Sequence, residues 1–209
     1  MMSRLRPLMA CMFLGAALFR ADPGAAAGFG FAIFAGGCFW CVESDFDRVP
    51  GVVETISGYI GGHLDNPTYE DVTSEQSGHR EAVRIAFRPE VVSYAELIEI
   101  FWRSVDPTDA GGQFCDRGES YTTAIFALDD DQRRVAEASR QKLEASGVLA
   151  GPVVTPILDA ATFFAAEDDH QNYHDNHPLR YNFYRFSCGR DARVDEVWAD
   201  EARKGIPGG

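Results

Sequence analysis

The sequence is poor in positive charge. Its 209 residues carry 19 Lys and Arg against 32 Asp and Glu, a formal net charge of −13, so nucleic acid and anionic membrane surfaces are unlike partners for it. It also lacks an apolar run of the roughly 20 residues needed to cross a bilayer, and no stable membrane insertion of the folded domain is expected. No internal repeat is visible, no Gly-rich phosphate loop follows the first predicted strand, and no HExxH zinc motif occurs. Cysteine is scarce, with five in all. Only Cys38 and Cys41 stand close together as C-x-x-C, with no second close pair to complete a four-cysteine zinc site.

With 45% hydrophobic residues, the chain suits one globular domain with a sizeable core. Residues 1–27 read as an export signal: Arg4 and Arg6, then PLMACMFLGAALF, then the small residues AAA at 25–27. The expected organisation is therefore a signal over 1–27, a catalytic domain over 28–209, and a periplasmic or otherwise exported location. Loss of residues 1–27 removes Cys11 and leaves Cys38, Cys41, Cys115 and Cys188.

From Gly28 onward, strand and helix signals alternate. FGFAIFA (29–35) reads as a strand, GG as a sharp turn and CFWCVESDFDRV as a short helix ended by Pro50-Gly51. VVETISGYI and HREAVRIAF (79–87) read as strands, the second with His79, Glu81, Val83, Ile85 and Phe87 on one face. SYAELIEIFWRSV is an amphipathic helix with Ser93 and Glu96 spaced as a capping box. YTTAIFAL reads as a strand, DDDQRRVAEASRQKLEASG as a helix, PVVTPILDA as a short peripheral strand and the C-terminal segment as partly helical. The predicted class is α/β (α+β), a two-layer sandwich with a mixed sheet.

That reading places Cys38 where a strand ends and a helix begins. Unpaired N–H groups and the helix dipole favour a thiolate there. Gly36 and Gly37 let the backbone turn, while Phe39 and Trp40 bring aromatic surface suited to a methyl or thioether group. A nucleophile attacking an oxidised sulfur also needs a proton donor for the oxygen. Glu81 is the candidate, on a face where a carboxyl can be buried and kept protonated. Tyr69 and Tyr121 could donate hydrogen bonds to the same oxygen. Two other functions fit the local motif: a thioredoxin-like disulfide exchanger, which leaves Glu81 and the two tyrosines without a role, and a disulfide-stapled binding domain. The stretch EDDHQNYHDNH, if helical, aligns His170, His174 and His177, but a solvated polar face is favoured there over a metal site.

Several motifs in order resemble the A-type methionine sulfoxide reductases: GCFWCVE at 37–43, NPTYEDV at 66–72, SGHREAV at 77–83, DRGESYTTAIF at 116–126, AEDDHQNY at 166–173 and FYRFSCGRD at 183–191. The resemblance implies a ferredoxin-like core and reduction of the S-epimer of methionine sulfoxide, free or in proteins. It implies Cys38 as nucleophile, Phe39 and Trp40 around the substrate methyl, and Glu81 as proton donor. Tyr69, Asp116 and Tyr121 are implied around the sulfoxide oxygen and catalytic sulfur. No cofactor or metal is implied, and the expected partner of the monomer is thioredoxin or a thioredoxin-like reductant. Many such relatives carry glycine at the position of Cys41 and recycle through a C-terminal cysteine. Here Cys41, by proximity, is favoured as first resolver and Cys188 as relay or alternative, with Cys115 lining the pocket or simply packing. Thr122 and Thr123 stand where relatives often have arginine and serine.

Overall fold

A computed structural model describes residues 28–208; the predicted signal at 1–27 lies outside them. In chain order the strands are β1 (Gly30–Ala35), β2 (Val52–Ile60), β3 (Arg80–Phe87), β4 (Gly112–Gln113), β5 (Asp116–Arg117), β6 (Ala124–Ala127), β7 (Ile157–Asp159) and β8 (Phe164–Ala165). The helices are α1 (Phe39–Phe46), α2 (Tyr69–Thr73), α3 (Tyr94–Trp102), α4 (Asp130–Ser146), α5 (Tyr173–Asn176), α6 (Pro178–Cys188) and α7 (Arg190–Trp198). Six strands form one sheet in the order β7-β6-β1-β3-β2-β8, while β4 and β5 form a separate hairpin. Only the β6–β7 pairing within that sheet is parallel, so the sheet is mixed, as predicted.

Both faces of the central strands are buried, for different reasons. Ala32, Phe34, Val83 and Ile85 point into the main core with α1 and α3. There Phe34 packs against Phe46 and Phe101 at ring-centroid distances of 5.5 and 4.9 Å. Each such buried aromatic ring contributes roughly 1.5–3 kcal/mol. The opposite face carries a smaller cluster of Ile33, Ala35, Ala82 and Phe126, covered by Leu158 and Phe163. This second covering explains why Ala82 of β3 is buried along with the odd positions, while Arg80 and Arg84 on the same face stay half-buried.

Local chemistry sets the helix ends. Ser93 accepts from the Glu96 N–H while the Glu96 carboxylate accepts from the Ser93 N–H, completing the predicted capping box of α3. α4 starts under the side chain of Asp129 and ends at Gly147 in the left-handed conformation. Trp102 Nε1 donates to Ser139 Oγ at 2.9 Å and ties α3 to α4. No helix among the described residues is long and apolar enough to cross a membrane.

Three segments differ from the sequence reading. The strand expected over 121–128 is confined to Ala124–Ala127, because Glu119–Tyr121 form a 3₁₀ turn that diverts Tyr121. A short edge strand, β8, arises within TFFAAEDD and pairs with Gly58 and Tyr59 of β2. The histidine-rich segment is not one helix: Asn172 adopts φ 51° and separates a 3₁₀ turn, Asp168–His170, from α5. His170, His174 and His177 therefore do not share a helix face.

Candidate active site

The turn between β1 and α1 builds the site. Gly37 has φ +81°, and a Cβ there would stand 2.6 Å from Gln113 Cβ, so both conformation and space require glycine. Cys38 follows as the residue capping α1. Its carbonyl accepts the N–H groups of Cys41 (3.1 Å) and Val42 (3.3 Å), while its side chain makes no cap. The sulfur is thus held at the helix entrance, only 6% exposed.

The next N–H, that of Phe39, is donated to Glu81 Oε2 at 2.9 Å. Glu81 stands on β3 opposite Tyr59 of β2 and is 1% exposed. Burial pushes its carboxyl up to about 8, with Asp116 and Cys41 adding in the same direction and the Phe39 N–H opposing. A carboxylic acid that keeps its proton at neutral pH therefore lies one residue from the Cys38 backbone.

Cys41 lies one helical turn beyond Cys38, and the two thiols hydrogen-bond to each other. Here the structure differs from the expectation of a low-pKa Cys38. Burial, reinforced by Cys41 and Glu81, pushes the Cys38 thiol well above its ordinary range. Cys41 is lowered instead, first by the hydrogen bond from Cys38 and then, against its own burial, by the charges of Arg190 and Arg185. The dipole of the two-turn helix does not outweigh desolvation at Cys38. Within the pair, ionisation is therefore favoured at Cys41 over Cys38.

The cations near Cys41 belong to a buried cluster that sequence reading did not find. Asp45 is fully buried and lies 2.9 Å from Arg48, 2.9 Å from Arg185 and 3.7 Å from Arg190. Arg190, 1% exposed, also donates to the carbonyls of Gly36 (3.0 Å) and Ser104 (2.9 Å). It thereby braces the glycine turn that presents Cys38. Breaking such a buried pair by removing one partner costs roughly 3–5 kcal/mol.

An aromatic wall borders the sulfur. Trp40 stacks on Tyr173 at 3.8 Å, meets Tyr184 edge-on at 5.7 Å, and donates its indole N–H to His170 Nδ1 at 3.2 Å. Phe39 lies beneath, 1% exposed and 5.3 Å from the His170 ring. Tyr69 stacks on His170 at 4.4 Å and hydrogen-bonds Tyr121. Burial pushes Tyr69 up to about 12, and Tyr121 is raised by the same cause. Both phenols keep their protons as donors. Glu167 orients this wall by accepting from Tyr59 Oη (2.7 Å) and the Tyr69 N–H (2.8 Å).

Tyr184 closes the circle by hydrogen-bonding both Asp116 and Cys38. Asp116 is itself raised by burial. The structure thus brings Cys38, Cys41, Phe39, Trp40, Tyr69, Glu81, Asp116 and Tyr121 into one constellation. Cys188 is placed at its rim, in a disulfide with Cys115. Tyr184 was missed by sequence reading, although the motif FYRFSCGRD contains it.

The family model for peptide methionine sulfoxide reductase matches residues 31–202. The chain belongs to the peptide methionine sulfoxide reductase family, A type. It is 55% identical over 176 residues to the peptide methionine sulfoxide reductase MsrA 2 of Rhizobium meliloti, covering 84% of this chain and 87% of the relative. It is 53% identical over 167 residues to MsrA of Bacillus subtilis, covering 80% and 94%. Among solved structures, methionine sulfoxide reductase A of Corynebacterium diphtheriae superposes with a TM-score of 0.66 at 32% identity, over 74% of this chain and 78% of that one. The reduced form of Mxr1 from Saccharomyces cerevisiae gives 0.66 at 26% identity, over 75% and 88%. This methionine sulfoxide reductase is a thiol-dependent oxidoreductase that works through cysteine.

Proposed function

We propose that the chain reduces the S-epimer of methionine sulfoxide, free or in oxidised proteins, and is recycled by a thioredoxin-like dithiol. The observation that carries this reading is the protonated, buried Glu81 bonded to the N–H that follows Cys38. Cys38 attacks the sulfoxide sulfur while Glu81 protonates the oxygen, assisted by hydrogen bonds from Tyr69 and Tyr121. Oxygen passes to Cys38 as a sulfenic acid and methionine leaves. Cys41 then condenses with the sulfenic acid, forming the Cys38–Cys41 disulfide and water. The shared proton between the two thiols lets Cys38 become the thiolate as substrate enters, with Cys41 taking up the proton.

The site fixes three directions at the substrate sulfur: oxygen towards Glu81 and the tyrosines, methyl towards Phe39 and Trp40, and the main-chain side outward. Three distinct directions make the site chiral, and the wrong epimer would leave the buried acid without its partner. The test is an assay of separated epimers of an N-blocked methionine sulfoxide with dithiothreitol. The S-epimer is expected to react at least about 10³-fold faster than the R-epimer; equal rates, or none, would sink the reading.

The same reading takes residues 1–27 as an export signal, supported by Arg4 and Arg6, the apolar run and the small residues before Gly28. N-terminal sequencing of the chain recovered from an exported fraction should begin at Gly28. Recovery only in the cytosol with Met1 retained would refute it.

A further inference from the structure

The Cys115–Cys188 disulfide lies outside the chemistry described so far, and its two sulfurs are not equivalent. β4 and β5 form a tight hairpin whose turn is Phe114 and Cys115, with Phe114 at φ 57° beneath the Arg190 guanidinium at 4.7 Å. The turn lifts Cys115 into solvent, where it is exposed. Cys188 is half-buried at the last residue of α6, before Gly189 in the left-handed conformation. The Cys115 N–H donates to Cys188 Sγ at 3.1 Å. Asp116 reaches both sulfurs, at 3.7 Å from Cys115 and 3.8 Å from Cys188.

Cys188 is also the sulfur connected to the active site. Tyr181, Tyr184 and Cys188 are spaced i, i+3 and i+7 on one face of α6. Tyr181 packs with Cys38 and Cys41, and Tyr184 hydrogen-bonds Cys38. The inner thiols, by contrast, have almost no contact with solvent: Cys38 is 6% and Cys41 2% exposed. Thiol–disulfide exchange needs an attacking sulfur to reach the disulfide. Sulfurs at that depth are far less accessible to a folded dithiol protein than the exposed Cys115. A bonded outer pair beside two free inner thiols is the arrangement that outward transfer of an oxidising equivalent requires.

We infer that Cys115 is the sulfur at which the external dithiol protein attacks, and that Cys188 carries its electrons inward. This rests on the reductase reading above. The partner's thiolate bonds Cys115 Sγ, the bond to Cys188 breaks, and the electron pair leaves on Cys188, where the Cys115 N–H stabilises it. The partner's second thiol then displaces Cys115 and becomes a disulfide, so the chain gains two electrons. In the inward step, Cys188 bonds one sulfur of the Cys38–Cys41 disulfide and the other leaves as thiolate. Cys115 then attacks Cys188, freeing the second inner thiol and restoring the outer disulfide.

The test mixes the full chain, in its Cys115–Cys188 oxidised form, with thioredoxin whose second active-site cysteine is serine. The trapped adduct is mapped by peptide mass. Attachment at Cys115 is expected; attachment at Cys188, Cys38 or Cys41, or no adduct, would overturn the assignment. A second measurement counts product from fully reduced chain after reductant is removed. About two methionines per chain are expected when both pairs communicate, and about one if they do not, which would equally overturn it. Turnover with dithiothreitol, run beside both, tells a failure of this assignment from a failure of the reductase reading: only in the latter case is that turnover absent as well.

Discussion

Cys38→Ser will lower kcat/KM for methionine sulfoxide by more than about 10³-fold, equivalent to over ~4 kcal/mol of barrier. Its Sγ is the atom that must bond the substrate sulfur, accept the oxygen and then join Cys41, and a hydroxyl does none of these. The substitution is also a favourable control for folding. Cys38 occupies the capping position of α1 without making a side-chain cap, whereas serine is among the preferred residues there. The urea midpoint is therefore expected to hold or rise while activity disappears. Residual activity above about a tenth of wild type would place the nucleophile elsewhere, with Cys41 first in line. A collapse of the urea midpoint would instead mean that the turn depends on sulfur packing.

Much of this site was legible because it is local. The strand, the two glycines and the aromatic helix start lie within one short stretch, so backbone rules alone put Cys38 at the entrance of α1. Glu81 could be read from the alternation along β3, since one face of that strand had to be buried. What escaped was set by long-range pairing. Arg185 and Arg190 converge on Asp45 from about 140 residues downstream, and no spacing rule links them. Cys115 looked solitary until the β4–β5 turn brought it to Cys188 across 73 residues. The balance at Cys38 was missed for a different reason. Helix position is visible in sequence, but desolvation depends on what covers the sulfur, here Tyr181 and Tyr184 from α6. The histidine cluster was open to a helical reading only because the left-handed turn at Asn172 has no strong sequence signal.

Glu81→Gln should reduce kcat by about 10²–10³-fold while preserving the entrance to α1. A glutamine carbonyl still accepts the Phe39 N–H but cannot deliver a proton. The pH profiles should differ in a defined sense. In the wild type the carboxyl is the working acid only below about 8, so activity should fall as pH rises through that value. The variant should lack this alkaline fall and keep only the rise from thiolate formation. Stability gives an independent check. The ordinary value of this carboxyl is 4.5, and the folded protein raises it to about 8. Between those values the native state binds more protons than the unfolded chain, so the wild type loses stability as pH increases across that interval. Glutamine has no proton to lose, and the pH dependence of its urea midpoint should be flatter there. A variant with wild-type kcat would remove Glu81 from the proton transfer. One with reduced kcat but an unchanged alkaline fall would show that the fall comes from another group. Tyr69, pushed up to about 12, titrates too high to produce it.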